Sequence, residues 1–381
     1  MFRDVGHLNE GGFMRFPASS PVKHVLRLLI LVTLAFLPGC PPVQVTPIPP
    51  SESFMLVYVD RASPAERIHV RFSNDGGQTW SLGDPQAALA GDGVGAAASE
   101  DNVGLMRVIV HDGNISRFHF RFGLGPAVWD ATDQRPTPPP SRRGASQITY
   151  GGSPGWLVTN LGGGSGFVPT VQRYSSSTRT FTDVSPSAAQ LNLGALNVLE
   201  VPAITSRGGR VVVAYLRHNG IGTAATLADL QTLSGTVGSG LTVTWSNAAT
   251  FTLSEPGFGP PVSRPALGHD NRQFLLGVVR AATTSGGAPR LFIYGSPDGQ
   301  SWTSVGTFDQ LPTQPPDQLN VSLAGRSDGT LVVMLTAAGV AKLHRFTSSS
   351  GWSEVPAGNV FGSELPTWFL TALVTAGRPP P

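Results

Sequence analysis

Short apolar runs separated by polar, glycine-bearing turns organise most of this chain. Three stretches share one pattern: VPAITSRGGRVVVAYLR from Val201, RPALGHDNRQFLLGVVR from Arg264 and NVSLAGRSDGTLVVMLT from Asn320. Each gives a short strand, a polar Gly or Asp turn and a strongly apolar strand. Near-continuous apolar strands predict burial on both faces. The stretches RIHVRF and RLFIYG alternate instead and read as further strands, each leading into a tight turn.

A second periodicity lies in the aromatics that end such turns. They stand at Trp80, Trp129, Phe181, Trp245, Trp302 and Trp352, with gaps of 49, 52, 64, 57 and 50 residues. A period of that length with short strands is the mark of propeller blades, and six aromatics predict six blades, although the spacing alone does not separate six from seven. SFMLVYVD, residues 53–60, is an apolar second strand lacking its predecessor, and PTWFLTALVT, from Pro366 to Thr375, is a spare strand at the other end. Joining them completes the first blade and removes the exposed edges of an open fan. The expected fold is therefore all-β, a six-bladed β-propeller over residues 53–376 with a proline-rich tail at 377–381, and it leaves no room for a second domain.

Composition agrees with this. The 381 residues include 46 Gly and 33 Pro, which interrupt helices and suit turns. Only Lys23 and Lys342 are lysines, and no basic patch for nucleic acid is visible.

The first 39 residues read differently. Val25 to Leu37 is an apolar run of 13 residues behind Lys23. A membrane-spanning helix needs roughly 20 apolar residues, so the run suits the core of a signal peptide, with Met14 as a possible true start. It ends in Leu37-Pro38-Gly39-Cys40, and Cys40 is the single cysteine of the chain. This resembles the lipobox of bacterial lipoproteins. The resemblance implies cleavage before Cys40 and lipid attachment there, hence a membrane anchor; an ordinary secretory signal with an incidental cysteine is the alternative. Removing residues 1–39 takes four basic and two acidic residues, leaving 22 of each and no net charge to attract an acidic polymer. Residues 40–52 form a linker in which Pro41 to Ser51 holds five prolines, long enough when extended to stand a domain about 30 Å off a membrane. Pro41 is not the aspartate that retains enterobacterial lipoproteins at the inner membrane. The expected place is thus the bacterial cell envelope, extracytoplasmic, with the outer membrane favoured in a Gram-negative host.

Two turns carry a sharper signature. SNDGGQTW, with Ser73, Asp75, Gly77, Thr79 and Trp80, and SPDGQSW, with Ser296, Asp298, Gly299, Ser301 and Trp302, each follow an alternating strand. Asp accepts turn amides, Gly takes positive φ, hydroxyls cap further donors, and Trp folds over the hairpin. These turns resemble the Asp-box of sialidases and the bacterial-neuraminidase-repeat group; looser copies end on Phe181 and Trp352. The resemblance implies that the boxes are scaffold, on hairpins away from the chemistry.

A site is expected at the channel mouth, on the loops leading into the inner strands. Candidates there are Arg142, Arg143, Glu200, Arg264, Asn320 and Glu364. Converging Arg and Glu could grip a carboxylate, or they could be solvated loop charges pairing with one another. The sialidase resemblance implies an arginine triad, a Tyr–Glu nucleophile pair and an acid/base Asp. This sequence lacks the Phe/Tyr-Arg-Ile-Pro motif, of which Arg264-Pro265 is a partial echo, and Tyr150 is the one tyrosine outside the outer hairpins and apolar strands. Arg264 and Tyr150 are therefore the weak catalytic candidates.

Other chemistry is set aside. Gly151 to Gly155 fits Gly-x-Ser-x-Gly but not in a strand-turn-helix setting. The histidines show no zinc spacing, and Asp92, Asp270 and Asp328 sit in turns. No cofactor or metal is expected. The sequence reads as a monomeric, lipid-anchored binding or scaffold module for a glycan or envelope protein, with an exo-acting glycoside hydrolase of sialidase type as the alternative.

Overall fold

The computed structural model describes residues 53–60, 67–82, 93–98, 106–112, 115–121, 129–134, 147–150, 155–163, 166–175, 180–198, 202–220, 226–239, 242–270, 272–311, 319–337, 340–362 and 366–376. The leader, Cys40, and the linker lie outside them.

Six antiparallel sheets follow one another along the chain. Blade 1 holds β1 (Ser53–Asp60), β2 (Arg67–Ser73) and β3 (Ser81–Leu82). Blade 2 runs through β4 (Gly93–Ala98), β5 (Met106–Asp112), β6 (Ile115–Arg121) and β7 (Trp129–Gln134). Blade 3 runs through β8 (Gln147–Tyr150), β9 (Gly155–Gly163), β10 (Gly166–Ser175) and β11 (Thr180–Asp183). Blade 4 consists of β12 (Ala203–Arg207), β13 (Arg210–Asn219), β14 (Thr226–Val237) and β15 (Val243–Trp245), with the short β16 (Ala249–Thr250) also on β14. In blade 5 the inner edge is shared by β17 (Phe258–Pro261) and β18 (Ala266–His269), both on β19 (Phe274–Ala282), followed by β20 (Arg290–Ser296) and β21 (Thr303–Phe308). Blade 6 is β22 (Asn320–Gly325), β23 (Leu331–Ala337), β24 (Val340–Thr347) and β25 (Gly351–Val355).

The C-terminal strand β26 (Pro366–Ala376) closes the ring by pairing with β1, Leu56 lying between Leu373 and Arg71. The inner strands β26, β4, β8, β12, β18 and β22 each lie against the next, and β22 returns to β26. This is a closed six-bladed β-propeller. Thr375 ties the seam: its hydroxyl lies 2.6 Å from the Gly325 carbonyl of blade 6 and 3.2 Å from the His269 carbonyl of blade 5.

Period-2 geometry explains why the second strands are apolar throughout. On β13, Val211, Val213 and Tyr215 pack toward blade 3 with Val171, while Val212, Ala214 and Leu216 pack toward blade 5 with Phe274 and Leu276. On β23, Leu331, Val333 and Leu335 meet Leu275 and Phe308 of blade 5, and Val332 and Met334 meet Phe54 and Leu56 of blade 1. β13 and β23 thus each belong to two interfaces at once, and each buried branched side chain contributes about 1.5–3 kcal/mol.

Candidate functional site

The two aspartate-centred hairpins are satisfied locally. Asp75 accepts the Ser73 hydroxyl at 2.8 Å, the amides of Gln78 and Thr79 at 3.0 Å, and the Thr79 hydroxyl at 2.5 Å. Asp298 accepts the Ser296 hydroxyl and the amides of Gln300 and Ser301, each at 2.8 Å. Partial burial opposes ionisation of Asp298, but the Ser301 and Gln300 amides and the Ser296 hydroxyl outweigh it and hold the carboxyl at about 2. Asp75 is lowered in the same way, burial opposing and Thr79 and Ser73 prevailing.

Both hairpins also reach the blade before them. A Cβ on Gly77 (φ 88°) would lie 2.8 Å from Val332 of blade 6, and one on Gly299 (φ 77°) would lie closer still to Val212 of blade 4. Strand pairing makes Val212 and Val332 the same position of the repeats in blades 4 and 6, because Ala214 faces Ala203 as Met334 faces Ser322. Arg345 Nε donates to the Gly76 carbonyl at 2.6 Å, and Gln300 Nε2 to Ser246 Oγ at 2.6 Å. The tryptophans divide between the expected arrangement and another. Trp80 folds over its own hairpin, donating to the Gly77 carbonyl at 3.2 Å. Trp302 instead donates to Thr232 of blade 4, Trp245 to the Val184 carbonyl after blade 3, and Trp352 to the Thr307 carbonyl of blade 5. A neighbouring blade offers these indoles an acceptor inside the interface, where a buried N–H needs one.

The opposite end holds the connections into the inner strands. Arg264 is exposed there, and Asn320 is half-buried at the start of β22. The two are level: the His269 and Gly325 carbonyls bridged by Thr375 lie five residues beyond them on adjacent strands. Arg142, Arg143, Glu200 and Glu364 lie outside the described residues. Tyr150 ends β8 at the hairpin with β9, where Tyr150 pairs with Gly155, so the chain places it at the other end of its blade from the Arg264 level. Asp270 and Asp328 make turns: Asp270 accepts the Arg272 and Gln273 amides at 2.9 and 2.8 Å, and Asp328 the Thr330 amide at 2.9 Å. Among the described residues no group of His, Cys, Asp and Glu is arranged to hold a metal ion.

Three fully buried tyrosines each face the preceding blade, Tyr58 and Tyr215 on second strands and Tyr294 on a third strand two residues before the Ser296 hairpin. Tyr215 donates to the Leu191 carbonyl at 2.5 Å. Beside it Arg217 pairs with Asp229 through two nitrogens and donates to the Asn192 carbonyl. Tyr294 donates to Glu255 Oε1 at 3.0 Å, while Arg280 donates to the Gly259 and Leu253 carbonyls at 2.9 and 2.7 Å. Tyr58 receives Arg71 Nε at 3.0 Å and sets its ring edge-on to Phe361, centroids 5.2 Å apart. Burial pushes the Tyr215 and Tyr294 hydroxyls up, with Asp229 and Glu255 adding to it against the neighbouring arginines. These groups escaped the sequence reading, which took Tyr58 and Tyr215 as strand residues. The signal was available in the repeats, where Tyr58 and Tyr215 align, as do Arg217 and Arg280.

No protein-family profile matches the chain, and no curated protein matches it. Among solved structures it is similar to the fucose lectin of Aleuria aurantia, described as a six-bladed β-propeller, with 14% identity, a TM-score of 0.43, and 84% of this chain and 98% of that one covered. It is also similar to an alpha-L-arabinanase of Penicillium chrysogenum (11% identity, TM-score 0.44, 69% and 80% covered). A third is the alpha-L-arabinofuranosidase of Fusarium graminearum (14% identity, TM-score 0.45, 72% and 82% covered). The six-bladed architecture of this chain rests on its own strand order and ring of inner strands.

Proposed function

We propose that this chain is a lipid-anchored, extracytoplasmic β-propeller of the Asp-box-repeat kind that binds a glycan or an envelope protein at the end carrying Arg264 and Asn320. One observation carries the choice of binding over catalysis: the buried tyrosine hydroxyls engage the connections, while Arg264 stands exposed. An exposed guanidinium with an amide at the same level suits a polar or carboxylate-bearing ligand. Tyr294 and Glu255 do form a tyrosine–carboxylate pair, the one feature favouring a sialidase-type hydrolase, but Tyr294 is 0% exposed and out of reach of a substrate. Cys40 supplies the anchor in this reading, with the proline-rich linker as spacer.

The test is a glycan array probed with the full chain, alongside hydrolysis of a fluorogenic sialoside. The reading expects a glycan hit weakened at least about tenfold by Arg264→Ala, the size of one charge-assisted bond, and no sialoside turnover. Turnover abolished by Arg264→Ala would establish the hydrolase instead. Growth with labelled palmitate, followed by gel fluorography of wild type and Cys40→Ser, tests the anchor; label in both would remove it.

A further inference from the structure

We infer that Ser263, Arg264 and Pro265 form a binding bulge, an insertion in the innermost strand of blade 5 that turns Arg264 into the central channel to hold the oxyanion of an acidic glycan. This deepens the binding reading above and rests on it.

The insertion follows from the strand register. On one side of it Pro261 pairs with Arg280, and the Val262 amide donates to the Val279 carbonyl at 2.9 Å. On the other side Ala266 pairs with Gly277, and the ladder runs on to His269 and Phe274. Between these pairs β19 contributes Val278 alone, whereas the inner strand contributes Ser263, Arg264 and Pro265. Two residues are in excess. An excess of two keeps the period-2 alternation, so the strand resumes on the faces it left: Val262 and Ala266 both lie in the core shared with blade 6. Blade packing would be served as well without the insertion, and bulges of this kind re-aim side chains beside binding sites. Blade 4 encloses the same excess between the pairs Asn197–His218 and Ala203–Ala214, again ending on a proline, Pro202. In blade 6 the ladder runs unbroken from Asn320–Thr336 to Gly325–Leu331, so a wall strand of this ring can do without it.

Within the bulge Ser263 and Pro265 are buried and Arg264 is exposed. At this level β19 occupies one edge of the strand, and the cores shared with blades 4 and 6 occupy its two faces. The channel is the direction left to the guanidinium. Pro265 holds that direction, because its ring fixes its own φ and disfavours the helical region for Arg264. The Ser263 hydroxyl donates to the Arg264 carbonyl at 3.3 Å, a second tie inside the bulge. Asn320 stands level with it at the start of β22. A guanidinium in a protein-walled channel favours an oxyanion, which can take two of its N–H groups in parallel, and the Asn320 side chain adds a neutral amide at the same level.

The test is deletion of Ser263 and Arg264 together in the full chain, which lets Pro265 face Val278 and makes the ladder continuous. Urea unfolding then reads the scaffold, and an array of carboxylated, sulfated and neutral glycans reads the site. The expected result is a urea midpoint equal to that of wild type or higher, with binding to acidic glycans lost. Arg264→Gln should weaken the same hits at least about tenfold, and Arg264→Lys should weaken them less. Pro265→Ala should weaken them about threefold through the freedom it returns to the backbone. It should add nothing in the Arg264→Gln background, a coupling that a merely structural role would not produce. Whether carboxylated or sulfated glycans are lost identifies the oxyanion. A deletion that lowers the urea midpoint would assign the bulge to the scaffold and overturn the proposal, as would hits that are neutral or that survive Arg264→Gln. A wild-type array without hits removes the binding reading itself, an outcome distinct from any change in the urea midpoint.

Discussion

The two ends of the propeller are held by different chemistry. At the hairpin end, glycines in left-handed conformation press backbone against a valine of the preceding blade, and each aspartate gathers the donors of its own turn. At the connection end, long polar side chains reach out of a buried strand to hold carbonyls of an irregular segment. The first arrangement tolerates no added atom; the second can be edited one hydrogen bond at a time. Fixed architecture at one end and adjustable loops at the other is the division expected when binding residues sit on loops above a rigid scaffold.

The sharpest way to break the contrast is to add a methyl group at the hairpin end. Gly299→Ala combines a positive φ with overlap on Val212 and should destabilise the domain by about 2–4 kcal/mol, read as a lower urea midpoint. Adding Val212→Ala should recover part of that loss; no recovery would mean that the conformational strain alone sets the cost.

Among the described residues the junction between blades 5 and 6 shows neither device, and there His344 is buried against Phe308 with no hydrogen-bond partner on either ring nitrogen. Burial lowers its value from 6.5 to about 4, Glu354 opposing and Lys342 assisting. A depressed histidine is neutral when folded and protonated when unfolded, so its contribution is intact above pH 6.5 and is lost as pH falls toward 4. The loss should reach up to about 3 kcal/mol, and stability curves of His344→Leu between pH 7 and 4 should be flatter than those of wild type. A wild-type curve as flat as the variant's would contradict this.

Asp298→Asn is expected to cost about 1–2 kcal/mol by weakening charge-assisted bonds to the turn amides. Because Asp298 holds its proton off down to about pH 2, the hairpin should stay intact through the range in which His344 titrates. Tyr294→Phe should be the mildest, about 1 kcal/mol or less in global stability, with its effect confined to the connection that carries Glu255.

Much of the architecture was legible because blade packing repeats. The apolar second strands, the terminal aromatics and the unmatched strands at 53–60 and 366–375 specify six sheets and their closure, since a strand buried on both faces leaves a run that no turn can imitate. The aspartate hairpins were equally plain, being local in sequence. The tyrosine hydrogen bonds were not, because Tyr294 and Glu255 are 39 residues apart and a tyrosine in an apolar run reads as core. Where the indoles would point was hidden for the same reason: Trp302 finds its acceptor 70 residues earlier, on another blade. Arg264 and Asn320 stand level because both lie where adjacent inner strands of blades 5 and 6 begin.

Native-state hydrogen exchange on wild type, Gly299→Ala and Tyr294→Phe tests the division between the two ends most directly. Faster exchange across all blades in Gly299→Ala, with Tyr294→Phe altering only residues 251–264, is the predicted result. Exchange that spreads across blades in Tyr294→Phe as it does in Gly299→Ala would contradict it, and the connection end would then be scaffold as well.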